Sequence, residues 1–405
     1  MVKNLTEGRP LNLLFFFALP MVAGNLFQQL YNMVDTAVVG KFVGEDAVAA
    51  VGSSFPIVFL SVAVASGLSM GCNVVGSQLF GARRIHEMKT TISTAIISLS
   101  VLGLLIMGLG TLLAGPLLQL LGTDPDIMAD SRTYLQIYFG GAVFLFLYNT
   151  LNGIYNAQGD SKTPLIFLMI SSLTNIVLDL LFVVTFQRGV AGAAEATVIA
   201  QALSAVGIAA YTFIKFPAFR PDRRYMKMNR QILREIFQYA FLTCIQQSVM
   251  NFGILLVQGL VNSFGTAVMA AFAAAVKIDA FAYMPVQDFG NAFSFFVAQN
   301  YGAKKYVRIR KGFLLALVSV LIFCLVISAV VYGFADSLMG FFTNEGSAVA
   351  AAGAKYLRVE GAFYVGIGIL FLLYGYYRAV DKSVISVVLT IISLGTRVIR
   401  AYQIS

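Results

Sequence analysis

The sequence predicts an all-α polytopic membrane protein built from two parallel-repeat six-helix bundles. Three observations predict it: too little charge to face water, eleven apolar runs of membrane-crossing length, and motifs that recur about 221 residues apart. Only 12% of the 405 residues are charged and 59% are hydrophobic, with a mean hydropathy of +0.81. A soluble domain carries about 25% charged residues. That shortfall excludes a soluble enzyme, a disordered chain and a disulfide scaffold. The 36 glycines fit helices that approach closely in lipid. With no tryptophan, the 18 tyrosines must supply the interfacial aromatics.

In chain order, the apolar runs fall near 11–39, 50–76, 91–114, 132–157, 163–186, 193–214, 236–262, 267–297, 313–335, 353–377 and 384–405. Lys3 and Arg9 before the first run give it the look of a signal peptide, but ten further spans and a polar stripe downstream argue that it stays. Cys72, Cys244 and Cys324 lie within apolar runs and read as buried thiols. The lone histidine, His86, sits in a charged loop, which disfavours a histidine relay or a His-rich metal site.

Basic residues sort by loop. Twenty of the 28 Lys and Arg lie on the side of the N-terminus and of the 215–235 linker, and five lie on the other side. Lys277, Arg397 and Arg400 fall inside spans. The positive-inside rule then predicts a multi-pass protein of the cell (plasma or inner) membrane with a cytoplasmic N-terminus. The net charge of +9 is thus a topology signal, and no nucleic-acid partner is expected.

The repeat is carried by Gly44–Ala50 against Gly265–Ala271 and by Gln78–Arg84 against Gln299–Lys305, both offset by 221, and by Tyr134-Leu135 against Tyr356-Leu357, offset by 222. Six spans in the first half, an even number, make the repeat parallel about an axis along the membrane normal. The predicted organisation is an N-terminal lobe over 1–214, a basic cytoplasmic linker over 215–235 and a C-terminal lobe over 236–405. That second lobe shows five spans, so a twelfth is expected near 415–436, and the lobe reads as lacking its last helix, as in a truncated chain.

Polar residues inside spans mark cavities or partner helices. The first span carries Asn25, Gln28, Gln29, Asn32, Asp35 and Thr36 at helical spacing. Asp35 is the member that helix–helix hydrogen bonding explains least, because a carboxylate at that depth needs a cation, a proton or a cluster of donors. Span five places Asn175 and Asp179 one turn apart, span four carries Asn149, Asn152 and Asn156, and span six carries Glu195 and Thr197. Carboxylates with neutral oxygens suit Na⁺, or a carboxylate that takes H⁺, and the residues do not choose between them. In the second half, Gln247 and Asn251 form a matching stripe on span seven, while Asp35 maps to Val257 and Asp179 to Arg400. The carboxylates are therefore not repeated. Lys277 and Asp279 are the second lobe's own charged candidates, able to neutralise each other or neighbours, and Arg397 and Arg400, three residues apart, are placed to pair with Asp279 or Glu360 or to lie near the outer interface. The expected substrate cavity is lined by Gln28, Gln29, Tyr31, Asn32, Gln247 and Asn251. No phosphate loop and no HExxH or CxxC pattern is present, so neither a catalytic residue nor a cofactor is assigned, and energy should come from an ion gradient.

Several runs resemble the multidrug and toxic compound extrusion (MATE) family: Leu30–Gly40, Pro56–Gly81, Gly153–Pro164 (GIYNAQGDSKTP), Gly189–Ala194 and Asp279–Ala303. The resemblance covers nearly the whole chain and is closest to the prokaryotic branch named after DNA-damage-inducible protein F. It implies twelve helices in two lobes, alternating access, and export of cationic, amphipathic organic compounds by a monomer in exchange for Na⁺ or H⁺. It also implies that the family's ion-coupling site, Na⁺-capable, falls on Asp35, Asn175, Asp179 and Thr197, with Asn152 and Asn156 adjoining. Glu195 departs from the pattern, standing where an apolar residue is expected. The alternatives are a flippase for lipid-linked precursors from the same superfamily, which would call for a basic cavity, and an inactive truncated transporter.

Overall fold

The computed structural model describes residues 4–215, 228–340 and 348–404. It is all helix, with no strand among the described residues. Eleven spans appear where the apolar runs predict them. Nine are single helices: α1 (Pro10–Phe42), α2 (Glu45–Gly81), α3 (Ile85–Leu120), α6 (Lys162–Asp179, continued by π-helical turns over Leu180–Thr185), α7 (Gly189–Lys215), α8 (Arg230–Asn262), α9 (Thr266–Gly302), α10 (Tyr306–Gly340) and α13 (Ser383–Ile404). The other two are bent pairs: α4 (Met128–Gly140) with α5 (Ala142–Ala157) at 47°, and α11 (Ala348–Ala362) with α12 (Tyr364–Ala379) at 50°. The predicted linker is described only in part, since 216–227 lie outside the described residues and Arg230 already opens α8.

The repeat reaches down to single backbone angles. Gly44 and Gly265 both have positive φ, as do Arg83 and Lys304 at the same offset of 221, and Gly159 and Asp381 at an offset of 222. The two bends correspond as well. Gly141 and Phe363, 222 residues apart, hold φ/ψ of −94°/0° and −100°/0° between the members of each pair. That sparsely allowed conformation breaks the helical ladder without a proline, and the second bend makes it without a glycine. The first bend does carry a glycine pair, Gly140-Gly141, but neither has a proline, and each pair reads as one straight run.

The chain divides into two compact units. Unit 1 includes Ala23–Phe241, and unit 2 comprises Leu5–Val22 and Leu242–Ser405. Each unit thus borrows the beginning of a helix from the other half of the sequence. In unit 1 the first turns of α8 pack deeply, with Ile236 fully buried beside Ala65, Leu68 and Cys72, and Gly71 meeting the Ile236 carbonyl so closely that no side chain fits there. In unit 2 the first turns of α1 bury Leu14 and Phe17, and the Phe17 ring stands edge-on to Phe295 at 5.7 Å. Ahead of that helix, a strap from Leu5 to Gly8 is held by side chains at the α9–α10 turn. Leu5 N–H donates to Gln299 Oε1 at 2.9 Å, Lys305 Nζ to the Thr6 carbonyl at 2.9 Å, and Arg308 to the Gly8 carbonyl at 2.7 Å. Of the three free thiols, Cys72 and Cys324 are buried and Cys244 is half-buried.

Candidate functional site

In unit 1, α1 and α6 run past each other, with Gly24 against Leu165 and Leu168. Eleven residues farther along each helix, this pairing brings Asp35 and Asp179 together. Their carboxyls are close enough that one, when protonated, donates a hydrogen bond to the other. Asn175 sits one turn before Asp179, and its amide donates to Thr197 Oγ1 on α7 at 3.4 Å. All four predicted coupling residues therefore meet. Asp179 is fully buried, and Asn175 and Thr197 are 2% and 7% exposed. The π-helical turns begin directly after Asp179. Such turns shift the side chains that follow off the regular helical face and recur at functional sites.

Four oxygens of this group are buried without a hydrogen-bond partner: Asp35 Oδ1, both carboxylate oxygens of Asp179, and Asn175 Oδ1. A buried polar atom left unmatched costs about 1–3 kcal/mol, more if charged. Two facing carboxylates add their mutual repulsion. Both costs are relieved when a positive charge or a proton stands among these oxygens. No group of three His, Cys, Asp or Glu comes together among the described residues. Two carboxylates with an amide and a hydroxyl fit a monovalent ion or a proton better than a divalent one, which gathers more charge.

The surroundings add Tyr134, Tyr138 and Gln201, which the sequence did not single out, beside Tyr31, which it placed in the cavity. Tyr31, Tyr134 and Tyr138 lie within electrostatic reach of the carboxylates or of one another. Tyr134 and Tyr138 stack at 6.4 Å, and Gln201 lies within reach of the Tyr138 hydroxyl. Gln201 is one turn beyond Thr197, and that i, i+4 spacing was the signal available for it. Val38, Val39, Val183, Val190 and Ala193 form a buried apolar cluster beside the site. Val183 is one turn beyond Asp179 and Val38 nearly one beyond Asp35, so water is excluded at that end.

Three expectations need correction or refinement. Asn156 donates to Asn152 at 2.8 Å, but the pair does not adjoin the carboxylates. Their neighbour Tyr155 bonds Thr212 at 2.9 Å, and Thr212 is fifteen residues beyond Thr197 on α7, roughly 22 Å along the axis. Sequence gives the face of a helix, not the depth at which another helix crosses it. Glu195 turns away from the cluster and pairs with Arg188 at 2.8 Å, which accounts for an acid at that position. Lys277 is exposed and makes no ion pair with Asp279, because residues two apart on a helix face different ways. Of the expected cavity residues, Gln28, Gln29 and Tyr31 are half-buried and Asn32 is exposed in unit 1, while Gln247 and Asn251 are half-buried in unit 2.

The MatE family model matches residues 20–181 and 240–403, one segment in each half and together most of the chain. The chain belongs to the MatE family. Among its relatives, "Probable multidrug resistance protein YpnP" of Bacillus subtilis (strain 168) is 31% identical over 391 residues, which is 96% of this chain and 87% of that protein. "Probable multidrug resistance protein NorM" of Thermotoga maritima is 23% identical over 94% of this chain and 82% of its own length. A solved MOP superfamily transporter from Pyrococcus furiosus shares the fold, with a TM-score of 0.91 at 24% identity over 98% of this chain and 89% of that one. MatE proteins are membrane transporters, so the unit 1 cluster belongs to a transporter.

The MatE fold repeats, and unit 2 of this chain carries a charged cluster of its own. Asp279, 6% exposed, accepts a hydrogen bond from the Tyr364 hydroxyl. Arg397 grips both oxygens of Glu360 at 3.0 Å, with the Tyr356 hydroxyl nearby at 3.5 Å. The expected Arg397–Glu360 pairing is thus present. The side chain of Arg400 lies outside the described residues.

Proposed function

We propose that this transporter exports cationic, amphipathic organic compounds across the cell membrane in exchange for Na⁺ or H⁺, with Asp35, Asn175, Asp179 and Thr197 as the ion-coupling site. The observation that carries the reading is the set of four buried, partnerless oxygens on Asp35, Asp179 and Asn175. A small cation or a proton relieves both their desolvation and the repulsion of the two carboxylates. The relatives named as multidrug resistance proteins support the cargo class. The excess of Lys and Arg in alternate loops supports a cytoplasmic N-terminus.

Exchange requires that ion and cargo stabilise different states of the protein. A cluster charged when empty and neutralised when loaded meets that need. The empty carboxylates attract an organic cation, and the loaded ones do not. The test is transport of a fluorescent organic cation into proteoliposomes under an imposed Na⁺ or H⁺ gradient. Gradient-dependent transport that disappears in Asp179→Asn supports the proposal. Transport by Asp179→Asn at the normal rate under the same gradient removes it.

A further inference from the structure

A second buried polar contact between helices recurs in the two repeats, with its chemistry reversed. In unit 1 it lies where α2 meets α5. Gly153 lets α5 press on Ser69 and Asn73, since an added methyl carbon would sit 2.8 Å from Ser69 Oγ and 3.3 Å from Asn73 Oδ1. In unit 2 it lies where α9 meets α12. Gly375, 222 residues later, contacts the Gly290 carbonyl, and a methyl there would be 3.5 Å from Ser294 Cβ. Gly290 and Ser294 are the counterparts, at offset 221, of Ser69 and Asn73.

The side chains around the contact differ in kind. Unit 1 offers acceptors: Asn73 and Asn156, 4% and 6% exposed, each keep a buried Oδ1 without a partner. Unit 2 offers donors. Ser294 is fully buried with an unpartnered Oγ. Arg378 stands where unit 1 has Asn156 and is 7% exposed. Its Nη1 donates to Asn291 Oδ1 at 3.3 Å, while its Nε has no partner. Ser383, the counterpart of Ser161 and the first residue of α13, is 5% exposed and also has an unpartnered Oγ. Among the described residues no ion pair to the Arg378 guanidinium is seen. Asp288, buried one turn before Asn291, makes no ion pair with it.

An unpaired guanidinium is among the costliest groups a protein can bury, and breaking its pairing is costlier than replacing it by an apolar residue. Here two further donors, the Ser294 and Ser383 hydroxyls, also lack acceptors, and Ser383 opens a helix, the end at which negative charge is favoured. We propose that Arg378, Ser294 and Ser383 hold a small inorganic anion of the chloride class inside unit 2. The tight approach of Gly375 to Gly290 favours a monatomic ion over a phosphate. The anion joins α9, α12 and α13 and so acts on the unit lacking the paired carboxylates of the coupling site.

The test uses the full chain, purified in detergent, with thermal unfolding followed at constant ionic strength in chloride, bromide and gluconate. The expected result is a saturable rise in melting temperature of a few degrees with chloride or bromide over gluconate. Arg378→Asn, which installs the unit 1 residue, and the milder Ser294→Ala should each flatten that dependence. Crystals grown in bromide should show anomalous density beside Arg378. The proposal is overturned if the wild-type protein melts alike in all three anions, if Arg378→Asn keeps the chloride dependence, if stability follows anionic lipid and not chloride, or if only water lies beside Arg378 in bromide crystals.

Discussion

Equivalent positions in the two units do opposite things with charge. Tyr134 and Tyr356, Tyr138 and Glu360, and Asn175 and Arg397 are pairs at an offset of 222. In unit 1 they surround two carboxylates, Asp35 and Asp179, that have no cation of their own. In unit 2 they bring two carboxylates, Asp279 and Glu360, together with a guanidinium built into the chain. Two acids thus sit at the same level of the same scaffold, and the difference is where the positive charge comes from. A site that carries its own cation has nothing to exchange. The coupling site proposed for unit 1, without one, would take its cation from solution.

The largest effect should come from removing the charge in unit 1. Asp35→Asn and Asp179→Asn should each lower gradient-driven export by at least ~100-fold, about 2.7 kcal/mol, while insertion into the membrane stays intact. Proteoliposome flux and membrane-fraction blots read the two. Export at the wild-type rate in both variants would break the comparison and move attention to Asp279. The next effect tests unit 2. Arg397→Gln leaves Glu360 without its partner and should cost about 1–2 kcal/mol of stability, below the cost for a fully buried pair because Arg397 is 43% exposed. Adding Glu360→Gln should restore most of the melting temperature. If Arg397→Gln also makes stability depend on Na⁺, unit 2 has been turned toward the chemistry of unit 1.

A smaller change sharpens the neutral part of the site. Thr197→Ala removes one hydroxyl next to Asn175 and should weaken ion-driven export about three- to tenfold, in line with about 0.5–1.5 kcal/mol for one hydrogen bond. The smallest is expected for Glu195→Gln, whose partner Arg188 is half exposed. Flux should hold within about twofold, and stability should change by less than about 1 kcal/mol. A loss as large as that of Asp179→Asn would place Glu195 in the coupling cluster after all.

The spans and the repeat were legible because lipid leaves few options. A crossing helix needs about 20 apolar residues, and each polar residue inside one stands out against them. That contrast is why Asp35, Asn175, Asp179 and Thr197 could be picked out and why they meet. Tyr134, Tyr138 and Gln201 were not legible, because tyrosine serves equally at interfaces and in packing, and a lone glutamine near the middle of α7 has many uses. Asn152 and Asn156 show the converse limit. Their spacing puts them on one face, but the depth at which α5 crosses α7 is a tertiary fact. The two bends and the π-helical turns escape for a local reason, since their residues are as apolar as those of an unbroken span.

The crossed helix beginnings have a consequence for how the protein is made. Leu5 leaves the ribosome among the first residues, yet its hydrogen-bond partner Gln299 is 294 residues away in the chain. At about 5–20 residues per second, synthesis of that interval lasts roughly 15–60 s. Unit 1 faces the reverse order: α2 and α3 must keep a seam open for Ile236 until α8 is translated. Neither half of the gene therefore encodes a finished bundle. A cut at the linker would leave each fragment holding a helix start that belongs to the other and missing one of its own, so the halves are expected to accumulate only when expressed together.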